Sequence, residues 1–305
     1  MEECKLELYF NCIFTWMISR LVIILSFFVL SLSAQTHMDS LFKTTETMGY
    51  ISIKEGFGNL PNLLYEGLIQ NKFYLSIDKK ARWALAFEPR ACFRVRLRRS
   101  LPMINPSFHG VGDVMFRLKS GESHMSFLNY RIAHHSNGQE DYFYDWVKND
   151  IDYEDGSFST NYLALGYNDC RQKIWGNSKV IIRRKLEFEA HPNLYRNPYM
   201  DDMYDDLRLN GTYVVRKDKD KGIGSMMLQV ESTLLCEQFS FNRLISGETF
   251  TLRTRYSYQF LPSADVWAYA EYYHGQDYYN LYFNNILDVL KIGLLIVPKK
   301  APIFH

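Results

Sequence analysis

The chain has 305 residues, and its 35 basic and 34 acidic side chains leave a formal net charge of +1. This balance gives no global attraction to nucleic acid, and no basic patch in the sequence indicates a nucleic-acid partner. The composition includes 22 Tyr and 21 Phe, and aromatic residues are typical of the interfacial girdles of membrane β-barrels.

An apolar run near the N-terminus extends from Leu21 to Leu32, follows Arg20 and ends at two small residues. A basic residue before a short apolar core, with small residues after it, predicts a secretory signal peptide. Its natural start would be Met17. Residues 1–34 would then be an upstream extension plus signal peptide, and residues 35–305 a single domain. The alternative is an anchoring helix, but the run is shorter than the ~20 apolar residues that a span needs.

The sequence after residue 35 contains no other long apolar run, so a second helical span is not predicted. Three cysteines remain in this part of the chain: Cys92, Cys170 and Cys236. An odd number of widely spaced cysteines without a Cys-x-x-Cys pair argues against a disulfide framework and against a zinc site.

Apolar and polar residues alternate with period 2 along much of the chain, which predicts β-strands with two very different faces. The strands are predicted near residues 82–98, 111–119, 124–136, 157–168, 179–190, 210–217, 226–234, 250–260, 264–273 and 280–297. Polar, turn-rich stretches lie at 102–110, 139–156 and 191–210. Alternation alone does not separate a soluble β-protein from a membrane barrel, but several strands of about 10 residues favour an all-β, antiparallel transmembrane β-barrel.

The predicted strand 124–136 ends in the most informative segment of the sequence. By parity, Tyr130, Ile132, His134 and Ser136 share one face, and His135 points to the other. Residues at i and i+2 point the same way, so an imidazole and a hydroxyl become neighbours on an otherwise apolar face. A serine hydroxyl is a weak nucleophile until a base takes its proton, and this pairing supplies the base. His135 fits better as an inward-facing polar residue, although exchanged roles for the two histidines stay open.

The next predicted strand places Ser157, Ser159, Asn161, Leu163 and Leu165 on one face. If the two strands form a hairpin, Asn161 can lie beside His134 on the apolar wall. Its amide oxygen could accept the imidazole N–H and fix the tautomer, as the third member of a catalytic triad does.

The string His-x-Ser-Asn-Gly at 134–138, followed by Ser-x-Ser-x-Asn at 157–161, resembles the signature of the outer-membrane phospholipase A family. The segment 272–284 resembles that family's penultimate hairpin. The resemblance covers about residues 120–168 and 264–297 and implies a barrel of about 12 strands.

The resemblance implies a phospholipase of the A1/A2 type that hydrolyses acyl esters of membrane glycerophospholipids. His134 would be the general base, Ser136 the nucleophile and Asn161 the residue that orients the histidine. The backbone N–H of Gly138 would contribute to the oxyanion hole. The protein would reside in the bacterial outer membrane with its active site toward the outer leaflet.

The resemblance also implies a calcium ion. Its ligands would be the side chain of Ser157, the backbone carbonyl of Gln139 and Ser100 of a partner subunit, so a calcium-linked homodimer is expected. Oxygen ligands of this kind suit calcium, which accepts many oxygens in flexible geometry.

The sequence departs from the family pattern in two places. Phe158 stands where the family carries Arg, and the segment 139–156 is long where the family keeps it short. Its acidic residues either add carboxylates to the calcium site or form a solvated loop: Glu140, Asp141, Asp145, Asp150, Asp152, Glu154 and Asp155.

Two other functions remain open. Lipid A deacylase, another outer-membrane barrel, also uses a His-x-Ser-Asn string, but it follows the string with Ala and completes its triad with Glu, whereas this chain has Gly138 and Asn161. A non-enzymatic barrel would carry the polar cluster only as the end of a hairpin, and this alternative predicts an open lumen.

Overall fold

The structure, a computed structural model, describes residues 49–53, 57–60, 63–75, 82–121, 123–140, 142–192, 196, 198–200, 203–219, 224–236, 248–261 and 265–297. The predicted signal peptide, with Met17, lies outside these residues. Within the described part of the chain, no helix is long and apolar enough to cross a membrane.

The described residues form antiparallel strands in chain order, with two short 3-10 helices at Pro198–Met200 and Asn280–Tyr282. The strands are β1 (Gly49–Ile53), β2 (Phe57–Gly58), β3 (Leu63–Gln70), β4 (Phe73–Leu75), β5 (Trp83–Arg96), β6 (Met103–Ser120), β7 (His124–Ser136), β8 (Tyr144–Asp145), β9 (Asp150–Ile151), β10 (Ser159–Trp175), β11 (Ser178–Ala190), β12 (Leu207–Lys219), β13 (Met226–Leu235), β14 (Phe250–Tyr258), β15 (Val266–Gln276) and β16 (Ile286–Ile296).

Twelve of the described strands close a barrel in the order β1-β3-β5-β6-β7-β10-β11-β12-β13-β14-β15-β16, because β16 pairs back onto β1. The predicted all-β, antiparallel barrel is therefore confirmed. We call one end the loop end, where residues 97–102, 137–158, 191–206 and 277–285 connect strands. The opposite turn end carries the tight connections 121–123 and 176–177 and the longer stretch 71–82, which contains β4. The long connections 137–158 and 191–206 lie at the loop end, as long loops of outer-membrane barrels collect at one end.

The barrel wall is apolar outside and charged inside. Exposed large side chains on the outer face include Phe87, Ile132, Leu165, Leu186 and Ile292. This distribution is the reverse of a water-soluble core, and it fits an exterior solvated by lipid.

Paired charges fill much of the interior. Arg94 is fully buried and donates to both oxygens of Asp277, at 2.6 and 2.7 Å, and to Glu66 at 2.7 Å. A second network joins Arg131 to Asp113 at 2.8 Å and to Glu187 at 3.2 Å. Buried charges persist only when partners compensate their lost hydration, and these pairs supply that compensation.

Some predicted boundaries were wrong. The stretch 102–110 belongs mostly to β6, although Pro106 suggested a turn. Pro106 is tolerated because the β5–β6 register shifts between Cys92 and Arg94, and the pairing of β6 with β7 begins only at Phe108. Pro106 has no backbone N–H, but no hydrogen bond of the sheet is lost at this bulge, where the strand edge is unpaired.

The last strand also begins later than residue 280. Asp277 accepts from the N–H of Tyr279 at 3.0 Å, and the Asn280 side chain accepts from the N–H of Leu281 at 2.6 Å. These local bonds compete with the sheet, so a short 3-10 helix precedes β16. Two barrel strands, β1 and β3, were not predicted.

The acidic segment 139–156 contains a small hairpin of β8 and β9. Its Phe143 is fully buried in a hydrophobic cluster that joins the connections of the loop end, and its ring stacks with Phe283. The cluster also contains Phe158, Met200 and Tyr204. The segment is therefore anchored across the loop end of the barrel by apolar contacts.

Candidate active site

The outer face of β7 carries the predicted histidine and serine. Its outward residues Tyr130 and Ile132 are 44% and 58% exposed, and His134 continues this row. The inward residues Arg131 and His135 are buried. Because side chains alternate along a pleated strand, His134 and Ser136 lie on the outer face of the barrel, next to the apolar residues that precede them in β7.

Strand β10 pairs with β7 and brings Asn161 directly opposite His134. The Asn161 Oδ1 lies 2.9 Å from the His134 Nδ1. Because an amide oxygen can only accept, Nδ1 carries the proton and Nε2 is the basic atom of the ring. The strand predicted near residues 157–168 is β10, which begins at Ser159 and not at Ser157. Asn161 lies on its outer face, as predicted.

Ser136 ends β7 on the same face as His134, opposite Phe108 of β6 and Ser159 of β10. It is half-buried. The structure shows no hydrogen bond between Ser136 and His134 among the residues it describes. Contacts between a nucleophile and its base are often loose without substrate and tighten in the reactive complex.

Gly138 has a φ of +74°, a conformation that favours glycine. A Cβ at this position would meet only the Phe108 ring, at 3.7 Å. The backbone conformation, more than lack of space, selects glycine here. The residue is exposed two positions after Ser136, where its N–H can serve an oxyanion near that serine.

Asn137 joins the two ends of the acidic segment and is 2% exposed. Its Oδ1 accepts from the N–H of Gln139 at 3.2 Å and from the N–H of Phe158 at 2.9 Å. Its Nδ2 donates to the Gly156 carbonyl at 2.7 Å. We call these contacts the Asn137 clamp. It holds the peptide at Gln139 close to the peptide between Ser157 and Phe158.

The clamp brings two of the three predicted calcium ligands, Gln139 and Ser157, into one neighbourhood of backbone and hydroxyl oxygens. Ser100 lies at the same barrel end, exposed in the loop between β5 and β6, with a φ of 71°. No hydrogen bond within this chain connects Ser100 to Gln139 or Ser157 among the described residues. The donor set consists of oxygens and therefore fits calcium chemically.

Two carboxylates of the acidic segment accept from backbone N–H groups of its turns. Asp145 accepts from the N–H groups of Val147 and Lys148, and Asp152 accepts from those of Glu154 and Asp155. Within the described ranges, no group of three or more His, Cys, Asp or Glu side chains could hold a metal ion.

A second serine–histidine pair lies on the inner face of the same wall, and the sequence reasoning missed it. The Ser107 Oγ is 2.7 Å from the His135 Nε2, and the His135 ring stacks on His109 at 3.7 Å. Ser107 is 1% exposed. His109, His135 and His191 line an interior cavity of about 240 Å³, but Ser107 is not accessible to a substrate. The sequence does not place Ser107 in β6, because Pro102 and Pro106 predict a turn over residues 102–110.

No protein-family model matches this chain, and no curated protein matches it in sequence. Solved structures match it in fold. Outer membrane phospholipase A from Escherichia coli has a TM-score of 0.54 and 12% identity, and the match covers 88% of this chain and 96% of that chain. An active-site mutant of that protein, in which an asparagine is replaced by alanine, gives the same values.

The outer membrane phospholipase of Salmonella typhi, a dimer with bound calcium, has a TM-score of 0.50 and 13% identity, and the match covers 81% of this chain and 89% of that chain. The chain therefore has the fold of the outer-membrane phospholipase A structures, as the sequence resemblance predicted.

Proposed function

We propose that this protein is an outer-membrane phospholipase that cleaves acyl esters of glycerophospholipids with Ser136, His134 and Asn161. The proposal rests on the 2.9 Å contact between Asn161 Oδ1 and His134 Nδ1 on the apolar outer wall. His134 lies two positions before Ser136 in the same strand. The fold similarity to phospholipase structures, one of them an active-site asparagine mutant, supports it.

The proposed chemistry is acyl transfer in two steps. Ser136 Oγ attacks the ester carbonyl carbon while His134 Nε2 takes the hydroxyl proton. The tetrahedral intermediate collapses when His134 protonates the departing glycerol oxygen, which leaves an acyl-serine. Water, deprotonated by the same imidazole, then attacks the acyl-serine, and the fatty acid leaves as His134 returns the proton to Ser136 Oγ. Asn161 keeps the imidazole in the reactive tautomer, and the N–H of Gly138 donates to the oxyanion.

Ser157, Gln139 and Ser100 of a partner subunit are the proposed calcium ligands. A bound calcium ion would add positive charge near the oxyanion. The Salmonella structure, described as a dimer with bound calcium, supports a calcium-linked homodimer. The absence of a contact between Ser100 and the other two ligands within the described chain agrees with a ligand that serves a second copy.

The proposed location is the outer membrane of a bacterium, with the loop end and the active site toward the outer leaflet. The apolar exterior and the long loops at the active-site end support this orientation. Export would use residues 1–34, and sequencing the N-terminus of the membrane-embedded protein should find a start near Gln35.

The alternatives are less well supported. A conducting barrel requires an open lumen, whereas paired charges fill much of this interior and an apolar cluster spans the loop end. A lipid A deacylase remains the second substrate to test if phospholipids are not cleaved.

The experiment measures fatty-acid release from phospholipid–detergent micelles by the refolded protein, with calcium and with chelator. Ser136→Ala should abolish release, whereas Ser107→Ala, a matched change in the inner serine–histidine pair, should leave it nearly unchanged. No release by folded wild-type protein, or equal loss in both variants, would contradict the proposal.

A further inference from the structure

The outer wall of β10, β11 and β12 is basic at the turn end. By parity and register, Arg171, Lys173, Arg184, Lys217 and Lys219 all face outward there. Lys173 and Lys217 flank Val180 from the two neighbouring strands. We call these five residues the basic sector.

The rest of the outer wall is different at the same end. Near their turns, the other described strands carry mainly apolar or aromatic outward residues, which include Ile69, Trp83, Phe116, Leu118, Tyr258, Phe260 and Ile296, although Arg82 and Lys119 are also exposed beside the turn ends of β5 and β6. Among the described residues, five outward cations thus lie together on three adjacent strands at this end.

The basic sector has little compensating charge. Its outward carboxylate, Asp169, is bound by His124 at 2.6 Å and by Arg171 at 2.9 Å. Among the residues that the structure describes, no ion pair joins Lys173, Arg184 or Lys217 to a carboxylate. Arg184 and Lys217 instead lie near the rings of Tyr213 and Trp175, at 5.9 and 6.0 Å. Among the described residues, three of the five cations therefore lack a carboxylate partner, and two of these three lie near aromatic rings.

The position along the strand matches a lipid headgroup region. From Asn161 to Asp169 the chain advances about 26 Å at ~3.3 Å per residue, or about 20 Å along the barrel axis at a typical tilt. The outward residues between them are Leu163, Leu165 and Tyr167, all exposed and apolar or aromatic. The apolar band of such barrels is about 25 Å tall. The active site and the basic sector therefore lie at opposite edges of one apolar band.

We propose that the basic sector binds the phosphate headgroups of anionic phospholipids in the leaflet at the turn end. Lysine and arginine near a membrane surface attract acidic lipids, and the guanidinium of Arg171 can hold two phosphate oxygens. Trp175 is 75% exposed and extends from the same hairpin, and tryptophan prefers the boundary between headgroups and acyl chains. This inference depends on insertion of the barrel in a bilayer, not on the catalytic proposal.

The test counts lipids that stay bound when the full chain is released from nanodiscs of phosphatidylcholine with a minor fraction of phosphatidylglycerol, by native mass spectrometry. The protein carries Ser136→Ala throughout, so that hydrolysis does not alter the lipids. Lys173→Gln with Lys217→Gln tests the sector. Arg98→Gln with Arg99→Gln is the matched control, because it removes two exposed charges at the loop end.

We expect the parent protein to retain phosphatidylglycerol in preference to phosphatidylcholine. The lysine pair should lower this preference by about tenfold or more, and the arginine pair should leave it unchanged. Equal effects of the two pairs, or no headgroup preference in the parent, would overturn the inference.

Discussion

Asn161 Oδ1 lies 2.9 Å from His134 Nδ1 across the β7–β10 pair, on the outer wall of the barrel. Asn161→Ala removes this acceptor, so we expect kcat for ester hydrolysis to fall by about a hundredfold or more. Asn161→Asp retains an oxygen acceptor and should keep much more activity than the alanine variant. Equal activity of the two variants would show that Asn161 does not act through His134.

The Asn137 clamp predicts a role in positioning rather than in the reaction itself. Asn137→Ala removes the three hydrogen bonds that the Asn137 side chain makes with Gln139, Gly156 and Phe158. We expect a lower kcat together with a higher calcium concentration for half-maximal activity, because Gln139 and Ser157 lose their common support.

Asn137→Asp retains the acceptor for Gln139 and Phe158 but not the donor to Gly156, so its effects should be smaller. The heat-dependent gel mobility of both variants shows whether the barrel has folded. A change in kcat without any change in calcium response would contradict the clamp's proposed link to the calcium ligands.

Calcium activation should require high concentrations. The proposed ligands are uncharged oxygens of Ser157, Gln139 and Ser100 of the partner subunit, and two carboxylates of the acidic segment, Asp145 and Asp152, already accept from backbone N–H groups. A site with few charged ligands binds calcium weakly, with a Kd on the order of 10⁻⁴–10⁻³ M. Titration of activity with buffered calcium measures it. Half-activation in the nanomolar range would indicate a carboxylate-rich site and contradict the proposed ligands.

The interior network makes Arg94 important for stability. Arg94→Ala leaves the buried carboxylates of Asp277 and Glu66 without their guanidinium partner. Removal of one member of a buried ion pair typically costs about 3–5 kcal/mol, and the urea dependence of unfolding in lipid vesicles should show a loss of this size. Arg98→Ala, an exposed control, should change the free energy of unfolding by about 0.5 kcal/mol or less.

Local alternation was sufficient to predict the strands that carry the site. The parity of β7 placed His134 and Ser136 on the lipid-facing side, and the position of Asn161 follows once β7 and β10 pair. Alternation failed where context overrides it. Pro106 lies inside β6 because a bulge and an unpaired edge tolerate it.

Contacts between distant segments were not predictable from one sequence. β3 carries Glu66 on its inner face, and only the buried Arg94 and Lys291 explain why a carboxylate belongs there. The Asn137 clamp depends on the conformation of segment 139–156. This segment has no regular alternation of apolar and polar residues from which its conformation could be predicted. Ser107 and His135 lie on different strands, and their contact depends on the β6–β7 register.

Ser136 is the proposed nucleophile, and covalent labelling tests this role most directly. The refolded protein is treated with an alkyl fluorophosphonate in calcium, digested, and its peptides are weighed by mass spectrometry. We predict one phosphonyl adduct on Ser136, formed at the rate at which activity is lost and absent in chelator. An adduct on Ser107, or full loss of activity without modification of Ser136, would show that Ser136 is not the nucleophile.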